Sequence, residues 1–360
     1  MIYSVNLEHL LREAVKLGAS DLHLSTGSEP RVRIHGVLTK LKYRVLNPVD
    51  IEELIFSMDS VDARARTKLN TVGQYDLSLS IAGLARFRIN IFRQKGDYAA
   101  VFRILNSTVI EYNKLGLPLS VFNLKKKRRG LVLIVGPTGS GKTTTLASFI
   151  DLINQEEYKH IITLEEPIEY LHWHKRSIIN QREIGADCES FQSGLRAALR
   201  EDPDVILIGE MRDYETTEIA VRSAETGHLV CSTLHTLGAS ETINRVVDMY
   251  PEKQQVQVRN QLVSILEAVI SQQLLPRKDG KGYTIAYEIM YKDSYVKECI
   301  RENRLKDLDD YLNTEEAMSE GMCTMDSVIL DRYFEGLITR EIAIEYAFDQ
   351  RAMRATLELE

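Results

Sequence analysis

The feature that most constrains the fold is a five-residue apolar run, Leu131–Val135, that ends in a glycine-rich turn. The turn and its exit are formed by Gly136, Pro137, Thr138, Gly139, Ser140, Gly141, Lys142, Thr143 and Thr144. Glycine reaches backbone conformations that other residues rarely adopt, so its repetition here indicates a tight loop. The sequence therefore predicts a strand, a loop and a helix in that order.

Apolar runs of strand length recur after this point and alternate with helical segments. They are Leu131–Val135, Ile161–Leu164, Val205–Ile208 and Leu229–Thr233. This alternation is typical of βαβ units, in which helices cover both faces of a mostly parallel sheet. From about residue 255 the pattern predicts mainly helix, including one helix over Val256–Leu275 that ends at Pro276.

The first 112 residues have a different pattern. A helix begins after Asn6, a good N-cap, because apolar residues then recur on one helical face. Strand-like alternations follow at Asp21–Leu24, Arg31–His35, Tyr75–Leu79, Arg86–Phe92 and Ala99–Leu105. Turn-forming residues and a proline at Asn113–Pro118 indicate a connection between domains. We predict an α+β domain over residues 1–112, a linker over 113–118 and an α/β domain over 119–360.

Composition narrows the class of protein. The 45 basic and 52 acidic residues give a net charge of −7, which argues against a surface built throughout for nucleic acid or anionic lipid. No apolar run approaches the roughly 20 residues of a membrane-spanning helix, and the first residues lack the pattern of a secretory signal. We therefore expect a cytoplasmic chain. Its cysteines, Cys188, Cys231, Cys299 and Cys323, are isolated, which predicts reduced thiols.

The glycine-rich turn has the spacing of a phosphate-binding loop. Gly136 is followed after four residues by Gly141, Lys142 and Thr143, directly after a predicted strand and before a predicted helix. In such a loop, backbone N–H groups bind phosphate oxygens, the lysine reaches the terminal phosphates and the threonine hydroxyl binds Mg²⁺. We therefore predict that the chain binds ATP with Mg²⁺.

Carboxylates follow two of the predicted core strands. Glu210 comes after one of them, and Gly209 stands where many nucleotide hydrolases have an aspartate; Glu166 and Glu169 come after another. Because ligands of open parallel sheets bind at the carboxyl ends of the strands, we expect Glu210 and Glu166, with Thr143, to bind Mg²⁺. For the general base we expect Glu169 first and Glu166 second, or Glu210. A solvated acidic loop is the alternative for residues 165–170.

Two histidines flank the apolar run Leu229–Thr233. If this run lies beside the strand that precedes the phosphate loop, His235 at its carboxyl end could reach the γ-phosphate. His228 lies at the opposite end, where we expect it either to contribute to nucleotide binding or only to brace the sheet.

Together these motifs resemble the secretion ATPases that power type IV pili, and among them most closely the retraction, or twitching motility, motors. The resemblance rests on GPTGSGKTTT (136–145), EEPIEY (165–170), LREDPDVILIGEMRD (199–213) and AETGHLVCSTLHT (224–236). It extends to GASDLHLS (18–25), ARFRINIFRQ (85–94) and GMCTMDSVILDRYFEGLIT (321–339). It therefore covers nearly the whole chain.

The resemblance implies a PAS-like N-terminal domain joined to a RecA-like ATPase domain with a helical C-terminal portion. It also implies a homohexamer that hydrolyses ATP and contacts an inner-membrane pilus platform protein, so that the motor lies at the inner face of the cell membrane through this partner only. By the same resemblance Arg86, Arg88, Arg93 or Arg103 would act as arginine fingers on the phosphates. Solvated strand arginines are the alternative.

Two segments depart from the family pattern. Glu166 stands where the family has an aspartate, and Tyr295–Glu302 shares only its last three residues with the motif Ala-Ile-Arg-Asn-Leu-Ile-Arg-Glu of the retraction motors. An accessory or assembly ATPase of a type IV pilus or type II secretion system therefore stays open. Retraction is favoured because the tetracysteine insertion of the assembly ATPases is absent. A DNA translocase and a nucleotide-binding module with negligible turnover are less favoured hypotheses, and we expect no nucleic acid partner.

One dense basic run, Lys125–Arg129, has no place in these motifs. Such a run is usually a solvated connection. The alternative is a docking patch for an acidic partner or a membrane surface.

Overall fold

The computed structural model describes residues 5–105 and 108–358. Contacts within the chain divide it into two compact units. The first holds the described residues up to Thr108 together with Glu169–Leu171, and the second holds Val109–Ile168 and the residues from His172 onward. Each unit has its own sheet and its own hydrophobic core. Within the described ranges no helix is long and apolar enough to cross a membrane.

The first unit packs helices against an antiparallel sheet. Its helices are α1 (Leu7–Lys16), α2 (Pro48–Phe56) and α3 (Ala63–Thr71). Its strands are β1 (Asp21–Ser25), β2 (Arg31–Ile34), β3 (Val37–Lys40), β4 (Gln74–Ile81), β5 (Ala85–Gln94) and β6 (Asp97–Leu105), in the sheet order β3-β2-β1-β6-β5-β4. Asn6 caps α1, as predicted, because its side chain accepts a hydrogen bond from the backbone N–H of His9 at 3.1 Å.

Alternation along β5 gives this sheet two different faces. Phe87, Ile89 and Ile91 are fully buried and pack with the helices. Arg86 and Arg88 alternate with them along the strand and lie on the opposite face, as the period of two predicts. The expected strands of this unit are confirmed, whereas the short, exposed β3 was not expected.

The second unit surrounds a mostly parallel sheet. Its strands are β7 (Gly130–Val135), β8 (His160–Glu165), β9 (Ile178–Glu183), β10 (Val205–Ile208), β11 (Leu229–Leu234), β12 (Leu266–Pro276) and β13 (Tyr283–Tyr291). They follow the order β13-β12-β7-β11-β10-β8-β9, and among these β13 alone is antiparallel to its neighbour. The α/β fold expected from the alternating apolar runs is therefore confirmed.

Helices cover the sheet of the second unit. They are α4 (Leu119–Phe122), α5 (Lys142–Glu156), α6 (Phe191–Ala198), α7 (Tyr214–Glu225), α8 (Ala239–Asp248), α9 (Glu252–Ile265), α10 (Ser294–Glu302), α11 (Leu305–Tyr311), α12 (Glu315–Ser319), α13 (Met325–Phe334), α14 (Arg340–Tyr346) and α15 (Gln350–Glu358). Short 3₁₀ turns lie at Tyr112–Lys114 and Asn123–Lys126.

The expected helix over Val256–Leu275 is wrong in its second half. The helix ends at Ile265, and the chain continues as β12, which pairs with β7 on one side and β13 on the other. This strand is buried on both faces, with its polar side chains buried among its apolar ones, so the period of its sequence does not separate it from a buried helix. The mainly helical region therefore begins at α10, after two long strands.

Candidate functional site

The glycine-rich loop lies between β7 and α5 and requires positive φ angles. Gly136, Gly139 and Gly141 have φ values of 142°, 83° and 87°. A Cβ at position 136 would lie 2.3 Å from the carbonyl oxygen of Gln272 in β12, so only glycine fits there. The glycines thus hold the tight loop that precedes the N-terminus of α5, where a phosphate would bind.

Lys142 begins α5 and folds back over the loop. Its side chain is buried, and its Nζ donates hydrogen bonds to the carbonyl oxygens of Gly136 and Pro137 at 2.7 and 2.9 Å. Nζ also lies 3.5 Å from Nδ1 of His235. Burial lowers the pKa of the Lys142 ammonium, and the nearby Glu210 carboxylate opposes this shift. The ammonium therefore lies where terminal phosphates would bind, with two loop carbonyls and the ring of His235 around it.

A row of contacting polar side chains continues from this lysine through His235. Oε1 of Glu210 lies 3.3 Å from Nε2 of His235, and Oε2 lies 2.9 Å from Nε of Arg212. The other end of Arg212 lies 3.6 Å from the carboxylate of Glu166. The Glu210 side chain is mostly buried, at 18% exposed, whereas Arg212 is 62% exposed. The site therefore fixes one carboxylate between a histidine and an arginine.

The order of the strands explains why these residues meet. Four strands, β7, β11, β10 and β8, are adjacent and parallel, so their carboxyl ends lie at the same end of the sheet. Lys142, His235, Glu210 and Glu166 each follow one of these strands. His228 lies at the opposite edge, where its Nδ1 donates to the carbonyl oxygen of Ser223 at 2.9 Å.

Other residues expected at the site belong to the first unit. Glu169 is half-buried and groups with that unit by its contacts. Arg86 donates to the hydroxyl oxygens of Ser78 and Ser80 at 2.7 and 2.9 Å. Arg88 and Arg103 lie beside each other on β5 and β6, and both are exposed.

Arg103 already has an acidic partner. Its Nε lies 2.9 Å from Oδ1 of Asp21 in the adjacent strand β1. Burial of the Asp21 carboxyl is the largest single influence on its pKa and raises it, but the hydroxyl of Ser20, Arg103 and His23 together keep this pKa below its usual value. Arg93, also named by the resemblance, instead stacks its guanidinium over the ring of Tyr98 at 5.2 Å.

Sequence reasoning missed two residues of the site. Gln272 in β12 donates from Nε2 to the carbonyl oxygen of Ser140 at 2.7 Å and so holds the loop in place. Arg212 links Glu210 to Glu166. Gln272 lies outside every motif named above, whereas Arg212 lies within LREDPDVILIGEMRD (199–213), where no role was predicted for it.

The structure also gives a reason for Gly209. A Cβ at this position would lie 3.3 Å from the carbonyl oxygen of Leu164 and 3.5 Å from Cα of Glu165. Two hydrogen bonds hold the backbone of Gly209. Its N–H donates to the carbonyl oxygen of Leu164, and its carbonyl oxygen accepts from the hydroxyl of Thr233. An aspartate would crowd this contact between β8 and the end of β10, so Glu210 is left as the carboxylate of this strand end.

The oxygen donors at the carboxyl ends of these strands fit Mg²⁺, which phosphates and water help to bind. They do not form a site in which protein side chains alone would hold a metal. Thr143, Glu210 and Glu166 offer hydroxyl and carboxylate oxygens, whereas no group of three or more His, Cys, Asp or Glu side chains in the described ranges could hold a metal ion. Mg²⁺ is usually bound through one or two carboxylates, water and substrate phosphates. Glu165 is less suitable because it is buried and accepts hydrogen bonds from Thr163 and Gln181.

A parallel sheet whose strand ends present a phosphate loop, a fixed carboxylate and a histidine defines a P-loop nucleotide-binding domain. The model of the family described as type II/IV secretion system proteins matches residues 2–323, and the chain belongs to this family. The predicted family and the mixed α/β fold are thereby confirmed.

Individual relatives are similar over almost their whole length. The chain is 42% identical to the type IV pilus retractation ATPase PilT of Pseudomonas aeruginosa, over 95% of this chain and 98% of that protein. It is 41% identical to a twitching motility protein of Neisseria gonorrhoeae, over 90% of this chain and 86% of the relative. A crystal structure of the pilus retraction motor PilT with bound ADP superposes with a TM-score of 0.91 at 47% identity, covering 98% of this chain and 99% of that one.

Proposed function

We propose that this chain is an ATP-hydrolysing motor that powers type IV pilus retraction as a homohexamer. The observation that carries the proposal is the linked set of Lys142, His235, Glu210, Arg212 and Glu166 beside the phosphate loop. Membership of the secretion ATPase family and the names of its relatives support the same activity.

Binding of ATP would begin at the loop. The backbone N–H groups of the loop, to which Pro137 contributes none, and of the start of α5 would bind the phosphates, and Lys142 would exchange the carbonyls of Gly136 and Pro137 for phosphate oxygens. Gln272 keeps the loop from moving during this exchange. Mg²⁺, held by Thr143, Glu210 and Glu166, would neutralise charge on the phosphates.

Hydrolysis requires a base that orients water toward the γ-phosphate. Glu210 is one candidate, supported by His235 and Arg212, which lie 3.3 and 2.9 Å from its two oxygens. With Glu210 as the base, Thr143 and Glu166 would hold Mg²⁺. Glu169 is the other candidate, and Glu166 comes after it. His235 and Lys142 would donate hydrogen bonds to the negative charge that develops on the γ-phosphate. The rate would therefore depend on donors that are already in place before the reaction.

Coupling to movement involves the first unit. We assign Arg86, Arg88 and Arg103 as arginine fingers that neutralise the phosphates in the transition state, and His228 remains a candidate nucleotide contact. Release of this contact after hydrolysis would let the domains over residues 1–112 and 119–360 rotate about residues 113–118. Around a hexameric ring such rotations would act on a platform protein in the inner membrane, from the cytoplasmic side.

An accessory or assembly ATPase is the second candidate, because Tyr295–Glu302 departs from the retraction motif. This segment forms α10, in which Val296, Cys299 and Ile300 are buried. Deleting the gene separates the two roles. Loss of a retraction motor leaves cells with more surface pili that do not retract, whereas loss of an assembly motor leaves cells without pili.

The first experiment compares the wild type with Glu210→Gln, and uses Glu215→Gln, an exposed carboxylate on α7, as the matched control. ATPase rate and mass by light scattering are measured with and without Mg²⁺ and ATP. We expect a particle of about six subunits whose turnover falls by about 10²-fold or more in Glu210→Gln alone. A wild type that stays monomeric and does not hydrolyse ATP would instead indicate a regulatory nucleotide-binding module. Stimulation of hydrolysis by DNA would indicate a translocase.

A further inference from the structure

An exposed aromatic surface lies on the second unit, at the amino ends of the strands. The phosphate loop lies at the opposite end of the sheet, at the carboxyl ends. Trp173, Tyr158 and Ile178 are 78%, 81% and 59% exposed. Tyr158 and Ile178 lie just before or at the amino ends of β8 and β9, whereas nucleotide would bind at the carboxyl ends of parallel strands. Trp173 is the only tryptophan of the chain. Large exposed apolar side chains at one end of a domain indicate an interaction surface.

The backbone below Trp173 is held rigidly. Asn154, fully buried at the end of α5, donates from Nδ2 to the carbonyl oxygen of Trp173 at 2.7 Å. Its Oδ1 accepts from the backbone N–H of Lys175 at 3.1 Å, and its backbone carbonyl accepts from that of Arg176 at 2.9 Å. The guanidinium of Arg176 lies over the ring of Tyr158 at 5.8 Å. The tryptophan is therefore presented to solvent by a fixed segment.

The basic run joins this surface. Lys159 is buried enough to lower the pKa of its ammonium, and its Nζ donates to the carbonyl oxygens of Lys125 and Lys127 at 2.8 and 3.5 Å. The basic–aromatic patch consists of Lys126, Arg128, Arg129, Tyr158, Trp173, Arg176 and Ile178. The run that the sequence left without a role therefore lies on the same side of the domain as the tryptophan.

The patch carries positive charge although the chain is acidic overall. Three nearby carboxylates are neutralised in the ion pairs Lys125–Glu156, Lys127–Glu267 and Lys175–Asp151. Glu157 and Asp204, which act on Lys159, are also close, but the cations of the patch outnumber them. Four cations of the patch form no ion pair in the part of the chain that the structure describes: Lys126, Arg128, Arg129 and Arg176. The complementary partner is therefore anionic and accepts amphipathic rings.

We propose that this basic–aromatic patch binds directly to the surface of a bilayer that contains anionic phospholipid. Tryptophan and tyrosine prefer the boundary between headgroups and acyl chains, and lysines and arginines near the surface are attracted by the anionic headgroups. Because the nucleotide edge is at the other end of the sheet, bilayer contact leaves the phosphate loop open. This contact goes beyond the proposed function and does not depend on it.

The sole tryptophan makes the test direct. Full-length protein is mixed with vesicles of phosphatidylcholine alone or with added phosphatidylglycerol, and Trp173 emission and co-sedimentation are recorded. We expect a blue shift, quenching by brominated lipid and co-sedimentation with the anionic vesicles only, all weakened by added salt. Absence of binding, or binding with unchanged Trp173 emission, would overturn the proposal.

Two matched variants separate the patch from general charge. Arg128→Gln with Arg129→Gln should lower the vesicle partition coefficient about 30-fold, at roughly 1 kcal/mol per basic residue. Arg351→Gln with Arg354→Gln removes the same charge from the exposed side of α15 and should leave it unchanged. Equal losses in both variants would contradict a specific patch. A Trp173 blue shift that depends on protein concentration without vesicles would show that a second copy of the chain covers the patch instead, which also refutes the proposal.

Discussion

A buried carboxylate behind the site leads to a prediction with an unusual sign. Glu288 in β13 is 5% exposed, and its Oε1 accepts a hydrogen bond from the backbone N–H of Ala239 at 2.7 Å. Burial raises the pKa of Glu288 from 4.5 to about 7, and the carboxylates of Asp309 and Asp326 act in the same direction. The backbone N–H groups of Ala239 and Met325 oppose the shift. Near neutral pH the folded protein therefore contains a carboxyl that is about half protonated.

The pKa shift fixes the direction of the pH dependence. Between 4.5 and about 7 the folded chain holds a proton that the unfolded chain releases, so the free energy of unfolding falls as the pH rises. This contribution is fully present below 4.5 and is lost as the pH passes 7. From about pH 5 to about pH 8 the loss is about 2.5 kcal/mol, at about 1.36 kcal/mol per pH unit where the slope is full.

Glu288→Gln removes this titration and keeps an oxygen that accepts from Ala239. The variant should gain about 2.5 kcal/mol over the wild type between about pH 5 and about pH 8, because only the wild type must ionise a buried group. Urea unfolding of the second unit, followed by circular dichroism at several pH values, gives this difference. Other groups titrate in both proteins and cancel. A difference that does not change with pH, or that increasingly favours the wild type, would refute the reasoning.

Three further predictions concern the residues around the loop. Gln272→Ala should weaken ATP binding about tenfold, because the hydrogen bond that holds the carbonyl of Ser140 is lost. The control Gln273→Ala, on the other face of β12, should leave ATP binding unchanged. Calorimetric titration with ATP compares the two variants. Gly209→Ala should lower the free energy of unfolding by about 1–3 kcal/mol, because its Cβ would lie 3.3 Å from the carbonyl oxygen of Leu164. A thermal melt that matches the wild type would contradict this prediction. Arg212→Gln should lower kcat about tenfold with little change in KM, and an unchanged kcat in steady-state kinetics would remove Arg212 from the mechanism.

Local sequence determined the parts of the protein that depend on neighbouring residues. Positive φ angles at Gly136, Gly139 and Gly141 are a requirement of the loop itself, so the motif predicts the loop without reference to the rest of the chain. The cap at Asn6 and the alternation along β5 are local in the same way. Even the approach of Glu210 to His235 could be expected, because parallel strands present their carboxyl ends at one edge.

Tertiary structure alone decided the conformation of residues 266–275 and the roles of two side chains. A segment that is buried on every side has no exposed polar face whose period would distinguish strand from helix, and pairing with β7 and β13 decides for strand. This pairing brings Gln272 to Ser140, which precedes it by 132 positions. The fold of β8 and β10 likewise brings Arg212 to Glu166. Contacts between residues so distant in sequence depend on the order of strands in the sheet, which no local pattern contains.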